Sequence, residues 1–359
     1  MSSLAVLTGF PGFIGRRLVA KLLADDRELR VAALVEERML EAAQAAAAEI
    51  GSDRIELIAS DIGEHRLGLS PGDFGRLAAE ASHVFHLAAI YNLSVPLQLA
   101  QRVNVDGTGN VVDFCLEAKG LERFVYISTA YVAGMRRGTV YEHELVMGQD
   151  FKNHYESTKF QAEVWVAERA AEKLPTTILR PAIVVGDSVT GETQKFDGPY
   201  FILRTISDAH RSGRAVPQFG RSDAPFNVVP VDFVVDAIAA CSTDPAAEGE
   251  TLHLVDPEPL TAGELVSALS QEYAGREPRG RIPPGLVQAS LRLGAVRERF
   301  GGTPAESIAY LNHPVAFDTR RATAVLEPHG LRPPNFGDYS AAIVRFFRER
   351  EDDPSLRPG

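Results

Sequence analysis

Residues 4–24 hold the pattern that most restricts the fold. An apolar run, Leu4–Leu7, meets a turn that reads Thr8-Gly9-Phe10-Pro11-Gly12-Phe13-Ile14-Gly15, and an amphipathic stretch over 13–24 follows at once. A strand that enters a helix through glycines at 9, 12 and 15 brings bare backbone to the helix N-terminus. There the unpaired N–H groups and the helix dipole favour a pyrophosphate, which a Cβ would otherwise block. The strand before and the helix after are the context that an isolated glycine motif lacks.

The rest of the first half repeats the alternation. Apolar runs at Val31–Val35, Ile55–Ile58, His83–Leu87, Phe124–Ser128 and Thr177–Leu179 are separated by helical patterns near 37–49, 71–81, 95–118 and 150–173. This order predicts a Rossmann-type α/β fold, a doubly wound parallel sheet with helices on both faces and a smaller C-terminal substrate lobe. Residues 1–185 read as the dinucleotide-binding core, with 227–257 returning to it. Residues 186–226 and 258–350 read as the substrate lobe. Segment 186–230 is rich in Gly, Pro, Asp and Ser, with one helix expected near 200–212. Thr261 with Glu264 marks a capping box that opens a helix over 261–273. The tail beyond Pro354 reads as frayed.

Bulk properties exclude several classes of function. A net charge of −11 over 359 residues argues against nucleic-acid binding. Cys115 and Cys241 sit in apolar runs without CxxC spacing, so neither a disulfide framework nor a metal site is indicated. The N-terminus lacks a basic leader, and no window approaches the roughly 18 apolar residues of a spanning helix. A cytoplasmic protein without a transmembrane segment is expected.

Tyr155-Glu-Ser-Thr-Lys159 places a phenol and an ammonium four residues apart, on one helix face. A free phenol titrates near about 10. A neighbouring ammonium stabilises its anion and makes it a usable proton donor to a carbonyl oxygen.

Taken together, the GxxGxxG turn, Asp61-Ile62, His86-Leu87-Ala88-Ala89, Asn104-Val105-Asp106-Gly107-Thr108 and the YxxxK pair resemble the extended short-chain dehydrogenase/reductases. The stretches 127–132, 153–163, 179–184 and 229–234 are closest to the thioester and fatty acyl-CoA reductase branch, and the resemblance spans roughly 4–240. It implies Thr129, with Ser128 beside it, as the hydroxyl that polarises the substrate, next to Tyr155 and Lys159. It further implies cofactor contacts from Thr8, Gly9, Pro11, Gly12, Phe13, Ile14, Gly15, Asp61, Ile62, Leu87, Ala88, Ala89, Asn104, Ser128, Tyr155, Lys159, Pro181 and Ile183. Arg180 reads as a packing or ion-pair residue.

Glu36, after the second strand, departs from the Arg that this branch uses to hold NADPH. With Arg38, Arg16 and Arg17 nearby, it leaves NAD(H) or NADP(H) open, with a lean to NAD. The resemblance implies reduction of an acyl thioester, carried on coenzyme A or a separate carrier protein, or of an aldehyde or ketone. Two alternatives stand beside it: a nucleotide-sugar epimerase or dehydratase with tightly bound NAD, and a non-catalytic dinucleotide-binding module. Tyr91, Asn92 and Tyr200 are substrate-site candidates, with Phe196, Phe201 and Phe219 as acyl-pocket candidates. Arg204, Arg211, Arg214 and Arg221 are candidates for binding a phosphate. A homodimer through the helices of 95–118 and 150–173 is a further expectation of the family.

Overall fold

A computed structural model describes residues 3–91, 95–170, 174–219, 223–282 and 307–357. Seven strands form one parallel sheet: β1 Leu4–Thr8, β2 Arg30–Val35, β3 Ile55–Ala59, β4 Ala81–His86, β5 Arg123–Ile127, β6 Thr176–Pro181 and β7 Thr251–Leu254. Their spatial order is β7-β6-β5-β4-β1-β2-β3. The order reverses beside β1, so the crevice between the carboxyl ends of β1 and β4 is where such a sheet receives a ligand.

The main helices are α1 Phe13–Asp25, α2 Leu40–Ile50, α3 Pro71–Glu80, α4 Leu97–Ala100, α5 Gly107–Glu117, α6 His154–Ala170, α7 Tyr200–Arg211, α8 Val231–Thr243, α9 Ala262–Ala274, α10 Arg320–Leu326 and α11 Phe336–Arg350. Strand β1 shows how the layers form. Ala5 and Leu7 enter the cluster that holds Leu18 of α1 and Phe233 of α8, while Leu4 and Val6 enter the opposite one with Phe74, Phe114 and Val166. Both faces are covered, so the strand reads as an unbroken apolar run rather than an alternating one. A third cluster gathers Phe196, Ile206, Leu265, Tyr339 and Phe347 from α7, α9, α11 and the segment before α7.

Several boundaries differ from the sequence expectation. The helix expected over 95–118 is broken by a π-helical turn, Gln101–Asp106, which leaves Asn104 buried. The one expected over 37–49 begins as a 3-10 turn at Glu37–Met39 and becomes α2 only at Leu40. The tail past Pro354 is docked rather than frayed. Pro354–Leu356 forms a 3-10 turn, Leu356 joins the third cluster, and its carbonyl accepts the Phe196 N–H at 2.7 Å. The Thr261–Glu264 capping box is present with both of its bonds. Among the described residues, no helix is long and apolar enough to cross a membrane.

Two histidines are held neutral inside this frame. Burial pushes His86 down to about 3, helped by the Lys159 ammonium, and pushes His253 down to about 3, helped by Arg180. In the unfolded chain each would take up a proton near pH 6.5. Below that pH the unfolded state therefore binds more protons than the fold. Stability is complete above pH 6.5 and is lost as pH falls toward 3. Between pH 6.5 and 4.5, chemical denaturation should show a loss of about 1 kcal/mol per pH unit for each histidine. A flat profile would contradict this account.

Candidate active site

The turn after β1 is built by its glycines. Gly9 takes φ +93°, and a Cβ there would lie 2.9 Å from the Ala88 nitrogen. A Cβ on Gly12 or Gly15 would stand 2.7 or 2.5 Å from the Gly9 carbonyl oxygen. Gly12 is the N-cap of α1 and no side chain caps that end. The helix thus opens with unclaimed N–H groups on bare backbone, a seat that fits a pyrophosphate.

A cavity of about 1610 Å³ runs from this turn past β5 and on along α7. Gly9, Pro11, Gly12, Phe13, Ile14, Gly15, Glu36, Arg38, Asp61, Ile62, Leu87, Ala88, Ala89, Ser128, Thr129, Tyr155, Lys159, Pro181, Ile183 and Tyr91 all line it. Glu36 and Arg38 pair with each other at 2.7 Å. Asp61 is held by Arg102 at 2.6 Å and by the Gly63 N–H.

Two expected cofactor residues stand behind the wall instead. Thr8 and Asn104 are each 1% exposed, and neither is part of the lining. The Ala88 N–H donates to Thr8 Oγ1, and Thr8 bonds His86 Nδ1 at 2.7 Å. His86 Nε2 lies 2.9 Å from Thr108 Oγ1, which donates to the Asn104 carbonyl. Because Thr108 donates onward, a neutral His86 carries its proton on Nε2 and accepts from Thr8 on Nδ1. The Asn104 amide clasps both the N–H and the C=O of Ile90 and donates to Thr158 at 3.0 Å. These polar groups hold the loop 87–91 against α6. They do not reach the cavity.

Tyr155 and Lys159 project from the first turns of α6 toward the end of β5. Lys159 Nζ donates to the Ile127 carbonyl at 2.7 Å and to Tyr126 Oη at 2.9 Å. Burial lowers this ammonium to about 7, with Glu163 working against the shift. Burial raises the Tyr155 phenol to about 12, with the nearby Thr129 hydroxyl opposing that rise. Tyr155 and Thr129 line the same cavity.

The structure separates Thr129 from Ser128. The Ser128 hydroxyl donates to Glu163 Oε2, whose other oxygen takes Arg180 through Nε at 2.9 Å and Nη2 at 2.5 Å. Ser128 is thus committed to a buried ion pair, whereas Thr129 Oγ1 has only longer contacts, accepting the Tyr131 N–H at 3.3 Å and donating to the Pro181 carbonyl at 3.5 Å, beside the cavity it lines. Arg180 has the ion-pair place expected of it.

Other candidates fall elsewhere. Tyr200 is 1% exposed and outside the lining, and its Oη accepts the Gly186 N–H at 3.0 Å. It belongs with Phe196 to the third cluster, because both lie on the apolar face that packs against α11. Of the α7 aromatics, Phe201 does line the cavity. Arg211 is paired with Asp208 and Glu351, Arg204 is outside the lining, and Arg214 is within it. Asn92, Arg221 and the Phe219 side chain lie outside the described residues.

Sequence reading missed Tyr131, Gln194, Lys195, Asp197 and Tyr310, which also line the cavity. Burial raises the Asp197 carboxyl, against the pull of the nearby Lys195 ammonium. Gln194, Lys195 and Asp197 lie in the unpatterned stretch 186–199, which carried no periodic signal that would have marked them.

Residues 7–238 match the model of an NAD-binding family described as Male sterility protein. The chain belongs to that family. It is 31% identical over 294 residues to the non-canonical nonribosomal peptide synthetase FrzA of a Cladobotryum species, covering 76% of this chain and 28% of that protein. It is 27% identical over 281 residues to the fatty acyl-CoA reductase wat of Drosophila melanogaster, covering 66% of this chain and 53% of that one. The chain thus spans about half or less of the length of these two relatives. The terminal R domain from the myxalamid PKS-NRPS pathway superimposes with a TM-score of 0.81 at 23% identity, covering 99% of this chain and 92% of that domain. That likeness bears out the Rossmann-type α/β architecture.

Ser128→Ala should leave Glu163 without one buried donor and cost about 1–3 kcal/mol in urea unfolding. An unchanged midpoint would show that this bond carries no stability.

Proposed function

We propose that this protein is an NAD(P)-dependent reductase of acyl thioesters, giving the aldehyde or, after a second turnover, the alcohol. The observation that carries the reading is that Thr129, Tyr155 and Lys159, the last two one helical turn apart on α6, line the cavity that begins at the glycine turn. The family match and the reductase among its relatives support it over an epimerase, and a proton-donating set weighs against a module without turnover.

Gly9–Gly15, Leu87–Ala89 and Lys159 would hold the dinucleotide, which supplies the hydride when bound. Thr129 Oγ1 and Tyr155 Oη converge on the substrate carbonyl oxygen. As negative charge builds on that oxygen, Tyr155 passes its phenolic proton to it and Thr129 holds it by a hydrogen bond. The Lys159 ammonium, fixed by the Ile127 carbonyl, stabilises the phenolate left behind. Expulsion of the thiol from the resulting hemithioacetal yields the aldehyde. The acyl group would arrive on coenzyme A or on a carrier protein. Glu36 at the end of β2 suits the two ribose hydroxyls of NAD. Leu97, Leu116 and Trp165, all well exposed on α4–α6, support pairing of two copies through these helices.

Tyr155→Phe should lower kcat for reduced-cofactor oxidation with acyl-CoA by about 10³-fold and leave dinucleotide affinity nearly unchanged. Thr129→Ala should cost about 100-fold. Retained turnover in Tyr155→Phe would remove the assignment. The pH dependence follows from Lys159. Its cation is present below about 7 and is lost above it, so kcat/KM for reduction falls as pH rises through that value. A profile flat from pH 6 to 8.5 would contradict the role given to Lys159.

A further inference from the structure

Three arginines line the half of the cavity that begins at the glycine turn, and each already has a carboxylate partner. Arg38 is paired with Glu36 at 2.7 Å, and Arg102 with Asp61 and Glu64 at 2.6 and 2.8 Å. Arg16, the residue directly after Gly15, is held by Glu192 at 2.6 Å. The first two partners lie within the Rossmann core's own loops. Glu192 comes from the segment 186–195, far along the chain.

That segment is built to keep its place. Gly191 N–H bonds the Asp187 carbonyl at 2.8 Å, and Asp187 N–H bonds the Glu192 carbonyl at 3.1 Å. Asp232 of α8 accepts Ser188 through its N–H at 2.9 Å and its hydroxyl at 2.5 Å. A Cβ on Gly191 would collide with the Ala342 carbonyl, so glycine lets the loop sit directly on α11. Gln194 Nε2 reaches back to the Pro11 carbonyl at 3.3 Å, across the glycine turn. Arg17 adds two contacts of 3.3 Å, to the Glu192 carboxylate and carbonyl. The Glu192 carboxylate is thus delivered to Arg16 by a loop clamped to α1, α8 and α11.

We propose that Glu192 is a determinant of nucleotide choice. It claims the Arg16 guanidinium from the neighbouring hollow that Arg16, Arg17 and Glu192 line together, so that a 2′-phosphate entering this half of the cavity finds each arginine there already paired among the described residues. A dinucleotide with a free 2′-hydroxyl does not meet this penalty. The role rests on the reading of the cavity as a dinucleotide site. Glu192 acts through Arg16 and does not itself contact the cofactor. Both side chains are partly exposed, so salt screens the pair and the effect is moderate.

Calorimetric titration of the full chain with NAD and with NADP tests this. In Glu192→Gln the ratio of the two dissociation constants should move about tenfold toward NADP. The shift should shrink at high salt, be smaller in Glu192→Asp, and vanish in the Arg16→Gln/Glu192→Gln double variant. A thermal melt confirms that each variant is folded. A ratio unmoved in Glu192→Gln would overturn the proposal, as would a shift that survives loss of Arg16. If the wild type binds neither nucleotide, the dinucleotide reading itself fails and the role of Glu192 falls with it.

Discussion

The Gly9 carbonyl is the point on which the molecule turns. The backbones of Gly12 and Gly15 crowd against it, closer than any side chain would permit. The Gly9 Cα faces the loop that follows β4 so closely that a side chain there would strike Leu87 and Ala88. This contact fixes three things together: the exit of the chain from β1, the start of α1, and the spacing of β1 from β4 at the place where the strand order reverses. The open end of α1 then faces the crevice with no side chain to fill it. The cavity, the seat for a pyrophosphate and the direction of everything after them follow from that crowding.

Behind the site lies a polar frame that performs no chemistry. One chain of hydrogen bonds runs from Ala88 through Thr8, His86 and Thr108 to Asn104. A second joins Ser128, Glu163 and Arg180. Each buried donor in these chains has an acceptor, which is the condition for keeping polar groups in an apolar layer. Their effect on function is one of placement. Asn104 presents loop 87–91 to the cavity, and Ser128 is turned onto Glu163 while its neighbour Thr129 lines the cavity with Tyr155.

Much of this was legible in the sequence. Three glycines in a strand–turn–helix context, the order of apolar runs and the Tyr155–Lys159 spacing each express a local backbone requirement, and the sheet and the placing of Tyr155 and Lys159 in one cavity followed from them. What could not be read depends on contacts between distant segments. Thr8 and Asn104 look like cofactor ligands by motif, yet their side chains are consumed by His86, Ile90 and Thr158. Tyr200 looks like a pocket aromatic, yet α7 turns that face toward α11. Glu192, Gln194 and Asp197 lie in a stretch without periodicity, and only folding brings them to the cavity. The tail reads as frayed because nothing local marks Leu356 as the partner of Phe196.

The central claim is that this cavity transfers hydride to an acyl thioester and does not recycle it. The most direct measurement mixes the purified protein with reduced cofactor and a panel of acyl-CoAs, following cofactor oxidation and thiol release together. The account predicts that both proceed in step, with at least one equivalent of cofactor oxidised for each thiol set free. A nucleotide that stays bound through repeated turnovers with no net oxidation, or oxidation without thiol release, would contradict it.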